Sequence, residues 1–203
     1  MITIIDYGLG NIRAFVNVYT RLNIETKIAH FAEDIKDATK IILPGVGSFD
    51  YAMTLLNKSG MREELDQQVV GNKIPVLGVC VGMQMLAKSS EEGLLPGLGW
   101  IDAVVKRFDE EGFSHKTHLP HMGWNDVYAQ STTCLFESMI KPQFYFLHSY
   151  YFAPLNQEEV LATTEYNGSF ASSVRSGNVF GTQFHPEKSH QWGIQLLKNF
   201  ANI

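Results

Sequence analysis

The chain has 203 residues, enough for one domain with a substantial core and short for two typical ones, so a single domain over 1–203 is expected. Its hydrophobic (45%) and charged (18%) fractions sit near globular averages and exclude a disordered or fibrous chain, while a net charge of −5 with sixteen scattered Lys and Arg leaves no basic stripe for nucleic acid. No apolar run is long enough for a membrane span, MITIIDYGLG lacks the basic start of a signal peptide, and two cysteines in unlike settings do not make a disulfide framework, so a reducing cytoplasm is the expected compartment.

In the first half, short β-branched runs alternate with helical patterns, as in a parallel sheet of βαβ units. ITIID (2–6) reads as a strand. NIRAFVNVYTRLN then sets Ile12, Phe15, Val16 and Tyr19 at helical spacing behind Asn11 as N-cap. ETKIAH (25–30) and KIILP (40–44) read as strands, the latter stopped by PGVG, and 49–57 and 61–70 as helices. IPVLGV (74–79) is a further strand, with MQMLAKSS continuing as a helix. In the second half strands follow strands: GWIDAVVKRF (99–108), FYFLHSYYF (144–152), VLATTEY (160–166), SFASSVRSG (169–177) and NVFGTQF (178–184), the last two joined by an SGN hairpin turn, before a closing helix in QWGIQLLKNFANI. The expected fold is α/β, a mixed and mostly parallel central sheet flanked by helices, with antiparallel additions in the second half.

Gly78-Val79-Cys80-Val81-Gly82 has the spacing of a nucleophile elbow with cysteine in the place of serine. A sharp strand-to-helix turn crowds its neighbours, so small residues two before and two after the nucleophile relieve the clash. Such a turn sets Cys80 at a helix start, where the peptide dipoles favour thiolate, and aims the Val81 N–H at an oxyanion formed on the attacked carbon. The competing reading is a buried, inert core cysteine.

Among seven histidines, FHPEKS (184–189) singles out His185 as the base. Pro186 biases it toward extended backbone, and in an extended segment Glu187 points the same way and reaches the imidazole. A carboxylate on one ring nitrogen fixes the tautomer and leaves the other to exchange a proton with sulfur. PGVG (44–47) ends a strand and offers a second set of backbone N–H groups; its alternative is a plain turn.

G-x-C-x-G-x-Q at 78–84, PGVG and FHPEKS, in that order and on those elements, resemble the class I (triad) glutamine amidotransferases over nearly the whole chain. YGLGN near the start, PHMGWN (120–125) and FYFLHSYY (144–151) narrow the resemblance to the branch serving imidazole glycerol phosphate synthesis in histidine biosynthesis. The resemblance implies hydrolysis of L-glutamine to glutamate and ammonia, with Cys80 as nucleophile, His185 as acid and base, and Glu187 orienting it. It further implies oxyanion donors at Val81 with Gly47 or Val46, and glutamine held by Gln84, Ser149 and Tyr150. A (βα)8-barrel cyclase subunit is the implied partner, in a heterodimer, with Asn11, Trp124 and Lys188 toward it; otherwise Trp124 is a core aromatic and Lys188 a solvated charge. Val81 and Thr182 stand where leucine and valine are usual, and neither change touches the chemistry. No cofactor and no metal are implied.

Three other readings compete. YGLGN has two of the glycines of a dinucleotide fingerprint, but Arg13 holds the third position and ETKIAH ends in His30 rather than an acid. His115, His118 and His121 have a spacing that suggests zinc, yet Pro120 breaks any common helix face. A regulatory subunit without activity would not need the intact Cys80, His185 and Glu187. Cys134, in TTCLFES, has no comparable frame.

Overall fold

The structure is a computed structural model that describes residues 1–111, 118–130 and 134–203. In chain order the elements are β1 (Ile2–Ile5), α1 (Ile12–Arg21), β2 (Thr26–Ala29), β3 (Ile41–Gly45), α2 (Phe49–Lys58), α3 (Arg62–Asp66), β4 (Val76–Cys80), α4 (Val81–Gln84), β5 (Ser89–Ser90) and β6 (Ala103–Arg107). They continue as β7 (His121–Asp126), β8 (Tyr128–Ala129), β9 (Gln143–His148), β10 (Tyr150–Pro154), β11 (Val160–Glu165), β12 (Ser169–Ser176), β13 (Val179–Thr182) and α5 (His190–Ala201). The main sheet runs β2-β1-β3-β4-β13-β12-β10-β6-β5, with β11 and β8 attached to β12. Its β2-β1-β3-β4-β13 part is parallel, and the pairs β13-β12, β12-β10 and β10-β6 are antiparallel, as expected.

The parallel strands have apolar sequences because both faces are covered. Ile4, Ile5, Ile41, Ile42, Leu43, Val76 and Leu77 are completely buried. On one side α1 buries Phe15, Val18 and Tyr19, and α5 buries Leu196, Leu197 and Phe200. The Tyr19 hydroxyl donates to the Leu197 carbonyl at 3.2 Å, tying the two helices. Beside Cys80, the register Gly45↔Cys80 on β3 and Thr182↔Val79 on β13 brings three strand ends to one edge of the sheet. That edge, at the carboxyl ends of parallel strands, is where α/β folds build their sites.

Four expectations need correction. The helix after Cys80 does not run through MQMLAKSS: it is one turn, because Lys88 N bonds the Ala103 carbonyl at 3.0 Å and Ser89–Ser90 pairs with β6. FYFLHSYYF is not one strand; β9 pairs with β7 in a separate two-stranded sheet, and after Ser149 the chain enters the main sheet as β10. Asn11 occupies the N-cap of α1, but its side chain makes no capping hydrogen bond. The helix over 61–70 begins as α3 and finishes as a wider turn, Gln67–Gly71. The SGN hairpin is present, with Ser176 opposite Val179 and Gly177 at φ +58°. Among the described residues no helix is long and apolar enough to cross a membrane.

Candidate active site

Cys80 has φ +55° and ψ −116°, a region that costs a non-glycine residue on the order of 1–3 kcal/mol and persists only where the surroundings enforce it. The flanking glycines are part of that enforcement. A Cβ on Gly78 would lie 2.7 Å from the Gly82 carbonyl oxygen, and one on Gly82 would collide with the Leu43 carbonyl. The elbow reading of both glycines is therefore steric, as expected. The dipole part of that reading weakens, since a helix of one turn carries little aligned dipole. What remains is the free N–H of Val81 at the first helical position, which has no partner within the helix.

His185 sits at the end of the segment leaving β13, with φ −100° and ψ 93° in the extended region that Pro186 favours. Its Nδ1 lies 2.9 Å from Glu187 Oε1, and both side chains are buried. The two residues meet across a short 3-10 turn, Pro186–Lys188, and not along an extended strand. Ser189 Oγ braces that turn: it donates to the His185 carbonyl at 2.6 Å and accepts from the Tyr145 amide at 3.0 Å. Burial pulls the His185 imidazolium down, but its hydrogen bonds to Cys80 and Glu187, and their charges, overcome it and push the ring up to about 10. A cationic imidazole held between the Cys80 sulfur and the Glu187 side chain is the arrangement this favours.

A cavity of about 350 Å³ opens over Cys80. Val46, Gly47, Val81, Gln84, Ser149, Tyr150, His185 and Lys188 all line it, so it gathers every candidate oxyanion and substrate residue. The Val46–Gly47 loop leaves the sheet beside the cysteine, and Gly47 uses φ +90° to make its turn. Its base is held from below: the Tyr7 hydroxyl donates to the Pro44 carbonyl at 2.8 Å and contacts Met85 Sδ at 3.5 Å. Gly10 packs against the same proline, where an added Cβ would lie 2.7 Å from Pro44 Cβ, so YGLGN is a prop for the PGVG loop.

Four lining residues, Glu92, Pro120, Leu147 and His148, are not among those the sequence singles out as site residues, and two of them, Glu92 and His148, are titratable. Glu92 brings a carboxylate to the cavity and accepts from the Phe49 amide at 2.8 Å. The signal for it, an acid after a serine pair, is too common to stand out. His148 precedes Ser149 in FYFLHSYY and was within sight, but only its contacts reveal what it does.

Gln84 is buried, and its side-chain nitrogen donates to the Tyr150 carbonyl at 3.2 Å and to Gln183 Oε1 at 3.1 Å. Gln183 Nε2 in turn lies 3.9 Å from Cys80 Sγ. Gln84 therefore braces the far wall and the cysteine together. Of the three residues expected to face a partner, Trp124 is 46% exposed and stacks on His190 at 5.2 Å. Lys188 lies 6.0 Å over the Tyr145 ring, which Trp124 meets edge-on, so these two share a surface; Asn11 is exposed at the start of α1. His115 lies outside the described residues. Among the described ones no group of three or more His, Cys, Asp or Glu could hold a metal, and His121 is buried against His148 instead.

Comparison with known proteins gives a consistent result. The family model for glutamine amidotransferase class-I matches residues 3–203. A protein of Bdellovibrio bacteriovorus named imidazole glycerol phosphate synthase subunit HisH is 53% identical, with 100% of each chain covered. One of the same name from Leptospira interrogans is 50% identical, again over 100% of each. In fold, the chain resembles a crystal structure of a glutamine amidotransferase with TM-score 0.76 and 24% identity, covering 99% of this chain and 97% of that one.

Proposed function

The chain belongs to the class I glutamine amidotransferase family, and from that premise we propose that it is one glutaminase domain over 1–203, hydrolysing L-glutamine at Cys80. Its role is to supply the ammonia to a cyclase that makes imidazole glycerol phosphate in histidine biosynthesis, the synthase named by its relatives. The observation that carries the reading is His185 bonded to Glu187 at 2.9 Å beside a cysteine held at φ +55° in the wall of a cavity.

The chemistry follows from those groups. Cys80 sulfur attacks the side-chain amide carbon of glutamine, and the carbonyl π electrons move to oxygen, where the Val81 N–H and an N–H of Val46 or Gly47 receive the charge. As the tetrahedral centre collapses, His185 gives its proton to the leaving nitrogen and ammonia departs, leaving a thioester. Water then loses a proton to the same imidazole and adds to the thioester carbon; sulfur leaves, and glutamate is freed. Glu187 holds the tautomer and stabilises the imidazolium throughout. At the other end of the substrate, Gln84, Ser149 and Tyr150 hold the amino-acid backbone, and the Glu92 carboxylate suits its ammonium group.

The proposed partner is a (βα)8-barrel cyclase subunit, docked over the surface of Trp124, Lys188 and Asn11, in the cytoplasm. Lys188 both lines the cavity and reaches that surface, so docking has a route to the residue next to Glu187. The test is glutamine-dependent ammonia release by the chain assembled with its cyclase. Cys80→Ala should lower it by at least about 10⁴-fold while the complex still consumes added ammonium. No release by the unmodified complex, or undiminished release by Cys80→Ala, would defeat the reading.

A further inference from the structure

At Ser149 the chain leaves the small sheet for the main one, and a line of hydrogen bonds holds the crossing in a direction that the groups themselves dictate. A carbonyl only accepts, so His148 Nδ1, 2.7 Å from the Tyr150 carbonyl, carries a proton. At the far end, Asn125 Oδ1 accepts from the Asp126 amide at 2.8 Å and its Nδ2 donates to the Glu165 carbonyl at 3.0 Å, which fixes the amide. Its Nδ2 also lies 3.2 Å from His121 Nε2, which must therefore be the acceptor. His121 then has its proton on Nδ1 and passes it 3.0 Å toward His148 Nε2. The line runs Asn125, His121, His148, Tyr150, each member donating to the next.

Adding a proton to either ring breaks this order. A cationic His148 would point a second N–H at the N–H of His121, and a cationic His121 would point one at the Asn125 amide. Burial agrees, holding His121 down to about 4, and burial with the neighbouring His121 holds His148 down to about 3. The His121 ring is clamped between Phe146, at 4.7 Å, and Tyr166, at 3.9 Å, both nearly parallel to it. The Tyr150 carbonyl that ends the line also receives the Gln84 side chain, at 3.2 Å.

We propose that His121 and His148 are positioning residues for glutamine: a neutral, one-directional imidazole pair that fixes the Ser149–Tyr150 crossing against the substrate's amino-acid end. The inference rests on the glutaminase reading of the cavity. It commits to two tautomers, and these can be observed without turnover. Long-range ¹H–¹⁵N spectra of the labelled full chain at pH 6 should find both rings neutral with Nδ1 protonated. An Nε2–H tautomer or a doubly protonated ring at either position overturns the relay.

Kinetics on the cyclase complex then test its purpose. His148→Phe keeps a ring and removes the donor, while His148→Asn keeps a donor near the place of Nδ1. Phe should raise the glutamine KM about tenfold, with kcat within about threefold, and Asn should bring KM back to within about threefold of the unmodified complex. An unchanged KM in the Phe variant, or equal rises in both, overturns the positioning role. If neither variant folds, the tautomers of the unmodified chain still decide the relay. If that complex releases no ammonia, the glutaminase reading fails separately.

Discussion

On one side of the cavity Cys80 is held by backbone packed against backbone, with Gly78, Gly82 and Leu43 too close to admit another atom. On the other, the Ser149–Tyr150 crossing is held by side chains that donate into one carbonyl from His148 and Gln84. The first side depends on volume and the second on where protons sit. The first also carries a buried pair, His185 with Glu187. The difference predicts that the two sides fail in different ways.

The largest effect should come from the buried pair. Glu187→Gln keeps the shape, removes the anion that holds His185, and leaves a side chain able to donate to the wrong ring nitrogen. We expect kcat/KM for glutamine to fall about 10³-fold, roughly 4 kcal/mol, in a complex that still assembles. A fall of less than tenfold in steady-state turnover would mean that the cysteine side works by packing alone.

Next in size is the steric contrast. Gly82→Ala puts a methyl group into the Leu43 carbonyl, where backbone and not a flexible side chain must move, so unfolding free energy should drop by about 3 kcal/mol. Ser149→Ala, on the polar side, adds no atom and should cost within about 1 kcal/mol. Urea midpoints of the two variants measure the contrast directly. Equal losses would show that both sides are packed alike.

This contrast also governs what could be read without coordinates. The Gly-x-Cys-x-Gly spacing and the HPE turn are local constraints, written within a few residues by sterics and by proline, so the elbow at Cys80 and the contact of His185 with Glu187 are legible in the sequence. The alternation of apolar runs gave the parallel half for the same reason. FYFLHSYYF reads as one strand by its own pattern, because the break at Ser149 comes from pairing with β7 on one side and β6 on the other, both distant in sequence. MQMLAKSS is a fair helix by propensity, and tertiary pairing of Ser89–Ser90 with β6 overrode it. His121 and His148 are 27 residues apart, and nothing local marks either as half of a pair.

The smallest expected effect, taken per pH unit, is the dependence of stability on pH, and here the two sides differ in sign. His185 is raised in the fold to about 10 from its ordinary value of about 6.5, so its contribution is complete below about pH 6.5 and fades as pH climbs through 10. His121 and His148 are lowered, to about 4 and about 3, so their neutral forms favour the fold above about pH 6.5 and that support is lost as pH falls toward those values. Between pH 6.5 and 5 ordinary carboxylates, near 4, are still mostly ionised, so the unfolded chain gains protons chiefly on histidine. The slope is at most about 1.4 kcal/mol per pH unit for each proton. The urea midpoint should therefore decline from pH 6.5 to 5, less steeply in His148→Phe, and decline again from about pH 7 upward, less steeply in His185→Gln. A midpoint flat across the acid range would mean that the histidine pair accepts a proton in the fold, and the polar side would then have to be held by something other than a directed line.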